Sequence, residues 1–350
     1  MHFGIFNLMG YRDNPGGVPG VISDTCEMVT TAEQAGFEIA WFAEHHFTNY
    51  SVCMSPLMMA AHAAGRTSRI KLGTGVIVLP LYHPMRVAQE IGLLDAMSNG
   101  RAVLGVGTGY QAYEFERYGA DVTHKVDIFL EYWKILEGAL SEGHVAFSGK
   151  YIQEPETVFC VRPAKGMPPV YCTSPHPVIL KALSKWNSTP FITAGWRGSP
   201  ALPGILEYVR NAWVAGGLDG ATMPVALQQY VHVTDSATEA LEAAERARYV
   251  GRMVHGLRAP DLHLEGAFFK APPLPDEPPL ETFRDNLLIG SPEYVAERLV
   301  NEIRTLKPSH YNCFFQFGDM PLARAKRSLE RFSTEVLPLV EREVGPLSEL

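Results

Sequence analysis

The 350-residue chain is predicted to fold as one α/β domain, a (β/α)8 TIM barrel that covers residues 1–350. Apolar, strand-like runs alternate with helix-patterned segments, and eight such strands can be counted, each followed by a helix. An open, doubly wound sheet is the main rival. Such sheets usually have about five to seven strands, whereas closure of a barrel suits the eightfold count, so we favour the barrel.

The first four strand-helix units follow one another without interruption. The second strand, 39–43, lacks polar alternation, which is typical of a strand covered on both faces of a parallel sheet. Ser55 and Pro56 mark one helix start, and Gly36 and Asn99-Gly100 mark two helix ends. The predicted strands are 3–6, 39–43, 71–79 and 102–106, and the predicted helices are 21–35, 56–65, 84–97 and 125–140.

The second half of the barrel is predicted after an inserted β-hairpin at 144–163, where polar and apolar residues alternate around a Ser-Gly-Lys turn at 148–150. Ser174 and Pro175 form a serine cap with proline in the first turn, and Ser291 with Pro292 repeats that pattern where we expect only a helix start. The remaining strands are predicted at 170–173, 191–194, 225–233 and 311–315, and the helices that follow them at 174–183, 202–215, 236–250 and 322–336.

Residues 255–283 do not fit the strand-helix pattern. The segment is rich in proline and has few helix-spaced apolar residues. A loop of this length in a compact domain is usually a lid or a disordered stretch, and a surface insertion explains it as well as a lid does. Phe268 and Phe269 would cover an apolar ligand if the segment closes as a lid.

Composition narrows the classes of partner. The formal net charge is -8 and there is no basic run, which disfavours nucleic acid and anionic membranes. The five cysteines are scattered and include no C-x-x-C pair, so neither a disulfide framework nor a structural zinc site is expected. No apolar segment is long enough for a transmembrane helix and no signal-peptide pattern opens the chain, so we expect a cytoplasmic protein.

The strongest site candidate follows the second strand, where the apolar run gives way to Glu44, His45 and His46. Catalytic groups lie at the carboxyl ends of parallel strands, although a lone histidine in apolar surroundings is more often a core residue. Successive strand residues point to opposite faces, so only one histidine faces the barrel mouth unless the strand has already ended. No metal is expected, because adjacent ligands chelate poorly and no H-x-x-x-H or H-E-x-x-H helix is present.

Three other strand ends carry weaker candidates. The glycines at 105–109 allow a ligand to approach the backbone, but they also suit a tight turn at the barrel rim. Gly73 and Gly75 within the third strand predict either a flat ligand, such as a flavin, or a bend. Residues 174–176 would present free helix amides to a phosphate, although plain helix capping explains Ser174 just as well.

Taken together, motifs spread over nearly the whole chain resemble the bacterial luciferase-like flavin monooxygenases. The motifs are AEHHFT at 43–48, LGTGVIVLP at 72–80, HP at 83–84, LLD at 93–95, SNGR at 98–101, GVGTG at 105–109, GSPEYVAERL at 290–299, FGDM at 317–320 and VLP at 336–338. The resemblance implies a TIM barrel that takes reduced FMN from a separate flavin reductase and reacts it with O2. The resulting flavin hydroperoxide would oxygenate a small apolar organic substrate, and we expect a homodimer or related hetero-oligomer.

The resemblance also assigns residues. The catalytic histidine falls on His45, and a non-prolyl cis peptide beneath the flavin falls on Gly75-Val76. The luciferase alpha subunit has a cysteine and an arginine where this chain has Gly107 and Thr108, so phosphate binding is expected to depend on backbone amides and on His176. The full expected flavin set is Glu44, Thr74, Gly75, Val76, Gly107, Thr108, Ser174, His176 and Trp196, with Glu44 and His46 also expected to support His45.

Apolar side chains near strand ends or in the lid segment predict an apolar substrate and a dry pocket, because water would divert the oxygen chemistry. They are Phe6, Phe47, Met54, Met58, Phe268, Phe269, Phe315 and Phe317, and most single members could instead belong to the core. Two rival functions remain open. One is a deazaflavin-dependent dehydrogenase of the same superfamily, and the other is a non-catalytic flavin-binding partner subunit, which the retention of His45 disfavours.

Overall fold

The computed structural model describes residues 1–259 and 262–350. Residues 260 and 261, which belong to the predicted lid segment, lie outside the described residues. The strands are β1 (His2–Asn7), β2 (Ile39–Phe42), β3 (Lys71–Thr74), β4 (Ile77–Val78), β5 (Ala102–Gly107), β6 (His144–Ser148), β7 (Gln153–Val158), β8 (Val170–Cys172), β9 (Thr189–Thr193), β10 (Ala226–Val233), β11 (Leu288–Gly290) and β12 (His310–Phe314). The helices are α1 (Gly17–Gln34), α2 (Pro56–Ala64), α3 (Pro84–Ser98), α4 (Ala112–Tyr118), α5 (Lys125–Glu137), α6 (Pro177–Leu183), α7 (Gly198–Ala215), α8 (Ala237–Gly256), α9 (Leu280–Asn286), α10 (Pro292–Leu306), α11 (Leu322–Arg331) and α12 (Leu337–Val344).

The sheet closes into a barrel of parallel strands in the order β1, β2, β3, β5, β8, β9, β10 and β12. The last strand, β12, pairs with both β10 and β1, and β10 also pairs with β9, so these strands have no free barrel edge. The predicted (β/α)8 barrel is therefore confirmed, and the doubly wound sheet is wrong. β4 continues the third strand, and β11 pairs in parallel with β10 as an extra strand.

Trp41 fills the barrel interior. Its indole is fully buried, and Nε1 donates a hydrogen bond to Oδ1 of Asn312 at 2.7 Å. A Cβ atom on Gly73, the register partner of Trp41, would lie 2.5 Å from the indole ring. Gly73 therefore makes room for Trp41, and the predicted flat ligand is not needed to explain this glycine.

The predicted third strand, 71–79, is divided into β3 and β4. The Gly75-Val76 peptide bond between them is cis, as the resemblance implies. At the division, the Thr74 hydroxyl accepts from the Gly105 amide at 2.9 Å and donates to the Gly105 carbonyl at 2.8 Å. A Cβ atom on Gly105 would overlap the Thr74 carbonyl oxygen, so this side-chain bridge requires glycine on β5. Thr74 thus replaces the ladder bonds that the division removes.

Other boundaries differ from the sequence prediction. Helix α6 begins at Pro177 with His176 at its N-cap and no side-chain cap bond, so the predicted serine cap at Ser174 is wrong. Helices α4 and α9 and strand β11 are not among the predicted elements, and the last predicted helix, 322–336, ends before α12. Residues predicted as a hairpin form the antiparallel pair of β6 and β7. No helix among the described residues is long and apolar enough to cross a membrane.

The segment after α8 rests on the loop that follows β2. The Phe269 amide donates to Oδ1 of Asn49 at 2.8 Å, and the Asn49 amide donates to the Ala267 carbonyl at 3.1 Å. Further along, Glu277 forms a two-pronged ion pair with Arg252 of α8. The first two contacts place residues 267–269 against the loop that carries the two histidines, and the ion pair fixes Glu277 to α8.

Candidate active site

His45 and His46 both lie beyond the end of β2, because this strand stops at Phe42. The strand alternation that would have allowed only one of them to face the mouth therefore does not apply. The two imidazoles turn to different partners: His45 contacts residues at the start of α4, whereas His46 contacts Glu44 and Tyr118. The loop thus separates one partly accessible histidine from one buried histidine.

His45 is held by two polar side chains of the segment after β5. Its Nδ1 lies 2.8 Å from Nε2 of Gln111 and 3.2 Å from Oε1 of Glu114, which also accepts the His46 amide at 2.8 Å. Tyr50 and Tyr110 flank the ring, with centroids 4.5 and 5.9 Å away. The His45 side chain is 13% exposed, so it is positioned by buried partners while retaining access to the site.

Glu44 stabilises the loop that carries His45 and His46. One of its oxygens lies 2.9 Å from Nε2 of His46, and the other accepts the Val78 amide at 3.3 Å. Nδ1 of His46 is 3.0 Å from the Tyr118 hydroxyl. Burial raises the pKa of Glu44, and its contacts with His46 and Val78 oppose that rise. Because both oxygens engage protein groups, the geometry favours the supporting role of Glu44 over the predicted flavin contact.

Five of the predicted flavin residues form a continuous shelf at the ends of three neighbouring strands. They are Gly75, Val76, Gly107, Thr108 and Ser174. A Cβ atom on Gly107 would lie 2.8 Å from Cγ2 of Val76, so a larger residue would close the shelf. The Thr108 amide donates to Oγ of Ser174 at 2.9 Å, and the two hydroxyl oxygens are 3.1 Å apart. Both hydroxyls thus sit together at one end of the shelf.

His176 adds a further polar group next to this end. Its Nδ1 is buried and has no hydrogen-bond partner among residues 1–259 and 262–350. A buried polar atom without a partner is costly unless a ligand or water completes its bonding. Two hydroxyls and an imidazole are suitable donors to a phosphate, and the glycine shelf suits the flat ring of a flavin, so the residues present fit FMN.

Aromatic side chains from β1, from β10 and from the end of β12 form a wall beside the shelf. Phe6 packs edge-on against Phe314 at 5.3 Å, and Tyr230 lies 4.9 Å from Phe314 and 5.0 Å from Phe317. The Phe6 ring is also 3.6 Å from the position of a Cβ on Gly75. Of the predicted pocket residues, Phe6 and Phe317 therefore belong to this group.

Tyrosines complete the surroundings of His45. Burial raises the pKa of Tyr110 to about 12 and raises the pKa values of Tyr50 and Tyr230 as well. Their hydroxyls therefore remain neutral hydrogen-bonding groups at physiological pH. The Arg258 guanidinium stands 4.9 Å above the Tyr110 ring. It brings a positive charge to this side of the site.

The structure places several other predicted pocket residues elsewhere. Phe315 points outwards between the barrel and the helices, with Phe37 6.0 Å and Phe332 5.7 Å away, so its assignment to the pocket is wrong. The reason is strand alternation, because its neighbour Phe314 faces inwards instead. Met54 and Met58 are 60% and 72% exposed, which does not suit the lining of a dry pocket.

The remaining aromatic candidates lie at the periphery. Phe47 packs 5.3 Å from Tyr118, and Phe268 packs 5.6 Å from Tyr11. Phe269 lies against Gly256 at the end of α8. Trp196 packs 4.6 Å from Phe283 and against Gly251, so it braces α8 and α9.

Sequence reasoning missed the residues that hold His45. Gln111 and Glu114 follow the glycine run at the end of β5, and their chemistry could have drawn attention to them. Tyr50 had no such signal, because a buried tyrosine in a loop is usually taken for a core residue. Only the folded chain brings these groups to one imidazole.

Comparison with known proteins identifies the family. The family model described as luciferase-like monooxygenase matches residues 1–307. The chain is 35% identical over 347 residues to protein y4vJ of Sinorhizobium fredii, which covers 99% of each chain. It is 26% identical over 361 residues to the oxygenase component of the flavin-dependent trigonelline monooxygenase of Acinetobacter baylyi, which covers 97% of this chain and 95% of that protein.

A solved structure shares the fold. It is the oxygenating constituent of 3,6-diketocamphane monooxygenase from Pseudomonas putida, a type II Baeyer-Villiger monooxygenase in complex with FMN. It superposes with a TM-score of 0.74 and 20% sequence identity, and the match covers 97% of this chain and 98% of that one. The family match spans most of the chain, and the chain belongs to the luciferase-like monooxygenase family of flavin-dependent oxidoreductases.

Proposed function

We propose that this protein is the oxygenase component of a two-component monooxygenase that uses reduced FMN and O2. The observation that carries the proposal is the position of His45 at the carboxyl end of β2, where Gln111 and Glu114 hold Nδ1 beside a glycine shelf. Such a histidine can transfer a proton at a ligand bound on the shelf. The supply of reduced FMN by a flavin reductase is supported by the relative from Acinetobacter baylyi, which is itself an oxygenase component.

Thr108, Ser174 and His176 would hold the phosphate of FMN, and Gly75, Val76 and Gly107 would lie against its ring system. Reduced FMN supplies the electrons that activate O2. The protein supplies orientation and exclusion of water. The aromatic wall of Phe6, Phe314 and Tyr230 supports a small organic substrate with an apolar body.

The contact with Glu114 suggests which nitrogen of His45 does the chemistry. A carboxylate can only accept a hydrogen bond, so sharing Nδ1 with Glu114 places a proton on that nitrogen. Nε2 is then the free nitrogen of the neutral ring and can take or return a proton at the site. A protonated Nδ1 needs an acceptor from Gln111 as well. The Gln111 amide would then be turned so that Oε1, and not Nε2, faces Nδ1 and accepts its hydrogen bond.

Equilibrium binding of reduced cofactors tests this proposal. We expect anaerobic titration with photoreduced FMN to give saturable binding with one flavin per chain, and reduced deazaflavin to bind more weakly. Binding of reduced deazaflavin without binding of reduced FMN would instead establish the dehydrogenase. Binding of flavin with no oxygenated product from any substrate in the presence of a reductase would support the non-catalytic subunit.

The state of assembly stays a prediction. Met54 and Met58 expose apolar surface at and just before α2, and Leu93 and Met97 do so on α3, which packs against α2. An apolar face of this kind is consistent with the expected homodimer or hetero-oligomer. Light scattering of the purified protein distinguishes a dimer from a monomer.

A further inference from the structure

Three potential metal ligands meet at the end of the barrel opposite His45. His2 opens β1, Glu38 immediately precedes β2, and His310 opens β12. One ligand atom from each residue lies within 4.8 Å of the other two. His2 and His310 are register partners in the pairing of β1 with β12. The closure of the barrel thus brings together three ligands that are distant in the sequence.

Glu38 divides its carboxylate between two neighbours. Oε1 accepts a hydrogen bond from Nζ of Lys71 at 2.9 Å. Oε2 lies 2.6 Å from Nδ1 of His2, yet it is buried and receives no hydrogen bond of acceptable geometry from the described residues. Zn²⁺ binds carboxylate oxygen and imidazole nitrogen at about 2.0–2.2 Å, so the two atoms can share one ion once a small side-chain rotation widens this contact.

The second imidazole completes a recognised ligand set. The rings of His2 and His310 have centroids 5.0 Å apart, and Oγ of Ser309 lies 3.1 Å from Nδ1 of His310. The serine contact fixes the orientation of that ring and leaves Nε2 for a ligand bond. Two histidines and one carboxylate bind Zn²⁺ or Fe²⁺ in many proteins. The side chains of His2 and Glu38 are 54% and 31% exposed, so an ion and its remaining waters can enter.

We propose that His2, Glu38 and His310 form a binding site for a divalent transition metal, with Zn²⁺ as the best-fitting ion. The site joins β1, β2 and β12, and the pairing of β1 with β12 closes the barrel. The bound ion therefore stabilises the closure and takes no part in the chemistry at the other end. The sequence-based expectation of no metal rested on local motifs, which cannot detect ligands at positions 2, 38 and 310.

Metal titration of the tag-free, chelator-treated protein tests the proposal. We expect one Zn²⁺ per chain by calorimetry, and Co²⁺ should give the visible absorption bands of a low-symmetry site. His310→Ala and Glu38→Gln should each weaken Zn²⁺ binding at least about tenfold, because loss of a mere supporting residue already costs that much. His124→Ala is the matched control, since His124 pairs with Asp121 at 2.8 Å on the surface and belongs to no cluster of three potential ligands among residues 1–259 and 262–350.

Thermal unfolding provides a second measurement. Zn²⁺ should raise the melting temperature of the wild-type protein and of His124→Ala, but not of His310→Ala. If His310→Ala fails to fold, His2→Ala serves instead, because His2 lies at an exposed strand end. The proposal is overturned if Zn²⁺ does not bind saturably, or if His310→Ala or His2→Ala binds it as tightly as His124→Ala does.

Discussion

Oε1 of Glu114 lies 3.2 Å from Nδ1 of His45, although the two residues are 69 positions apart in the sequence. The same oxygen accepts the amide of His46 at 2.8 Å, so a single buried carboxylate fixes both the backbone and the ring of the histidine loop. This contact links the ends of β2 and β5. It makes the short helix α4 part of the candidate site.

Glu114→Gln tests whether this carboxylate positions the proton on His45. We expect ¹⁵N NMR of the imidazole to show the proton on Nδ1 in the wild-type protein and a shift towards the other tautomer in the variant. Turnover should fall by about 10- to 100-fold, the usual cost of losing a group that orients a functional histidine. Glu116→Gln changes an exposed carboxylate of the same helix and should alter neither property. An unchanged tautomer in Glu114→Gln would contradict the positioning role.

Ser174→Ala tests the phosphate end of the shelf. The variant loses a hydroxyl beside Thr108, and we expect FMN to bind roughly tenfold more weakly, which corresponds to about 1.4 kcal/mol. Riboflavin lacks the phosphate and should bind wild type and variant equally, which also reports on correct folding. Ser184→Ala, at the far end of α6, is the control. Equal losses for FMN and riboflavin would place the phosphate elsewhere.

Gly73→Ala tests the packing of the barrel interior. The added methyl group meets the Trp41 ring at 2.5 Å, so we expect a loss of about 1–3 kcal/mol in the free energy of unfolding, measured with urea. Gly204→Ala, within α7, meets no atom within 4 Å and should be neutral or stabilising by up to about 1 kcal/mol. If Gly73→Ala were as stable as wild type, the glycine would have to be explained by a ligand after all.

His232 should make the fold sensitive to acid. Burial lowers its pKa from 6.5 to about 4, although Glu239 opposes the shift. The unfolded chain therefore binds a proton first as the pH falls, and stability present above pH 6.5 is lost between pH 6.5 and 4. The free energy of unfolding is measured with urea at pH 7 and at pH 4.5. Between these two pH values, the wild-type protein should lose roughly 2–3 kcal/mol more than His232→Gln does. His255→Gln, on the exposed part of α8, should retain the wild-type pH dependence.

The barrel could be predicted because its strands are uninterrupted apolar runs and its helices carry caps and periodic apolar residues. The face of the strand to which each side chain points could not be predicted. A strand end misplaced by one position exchanges Phe314, which faces inwards, for Phe315, which faces outwards. The role of Gly73 depended on Trp41 across the sheet, which no local pattern reveals. β11 is only three residues long and lacks a strand signal of its own.

The candidate site could be predicted only where it coincides with motifs. His45, the cis peptide and four of the five shelf residues lie in the motifs of the resemblance, and Ser174 lies in the Ser-Pro pattern that follows the fifth barrel strand. Glu114, Gln111 and the tyrosines reach His45 through contacts across the barrel mouth, and these depend on the packing of α4 and of the loop after β2. Trp196 is the opposite case. It was expected to contact the flavin, but in the structure it braces two helices.

Rapid mixing of the protein, carrying photoreduced FMN, with oxygenated buffer tests the central claim most directly. We expect the absorbance of oxidised FMN to return later than it does for free reduced FMN, and His45→Ala should shorten that delay. Reoxidation of bound flavin as fast as free flavin would contradict the proposed oxygenase, and so would a His45→Ala variant that retains the full wild-type delay and turnover.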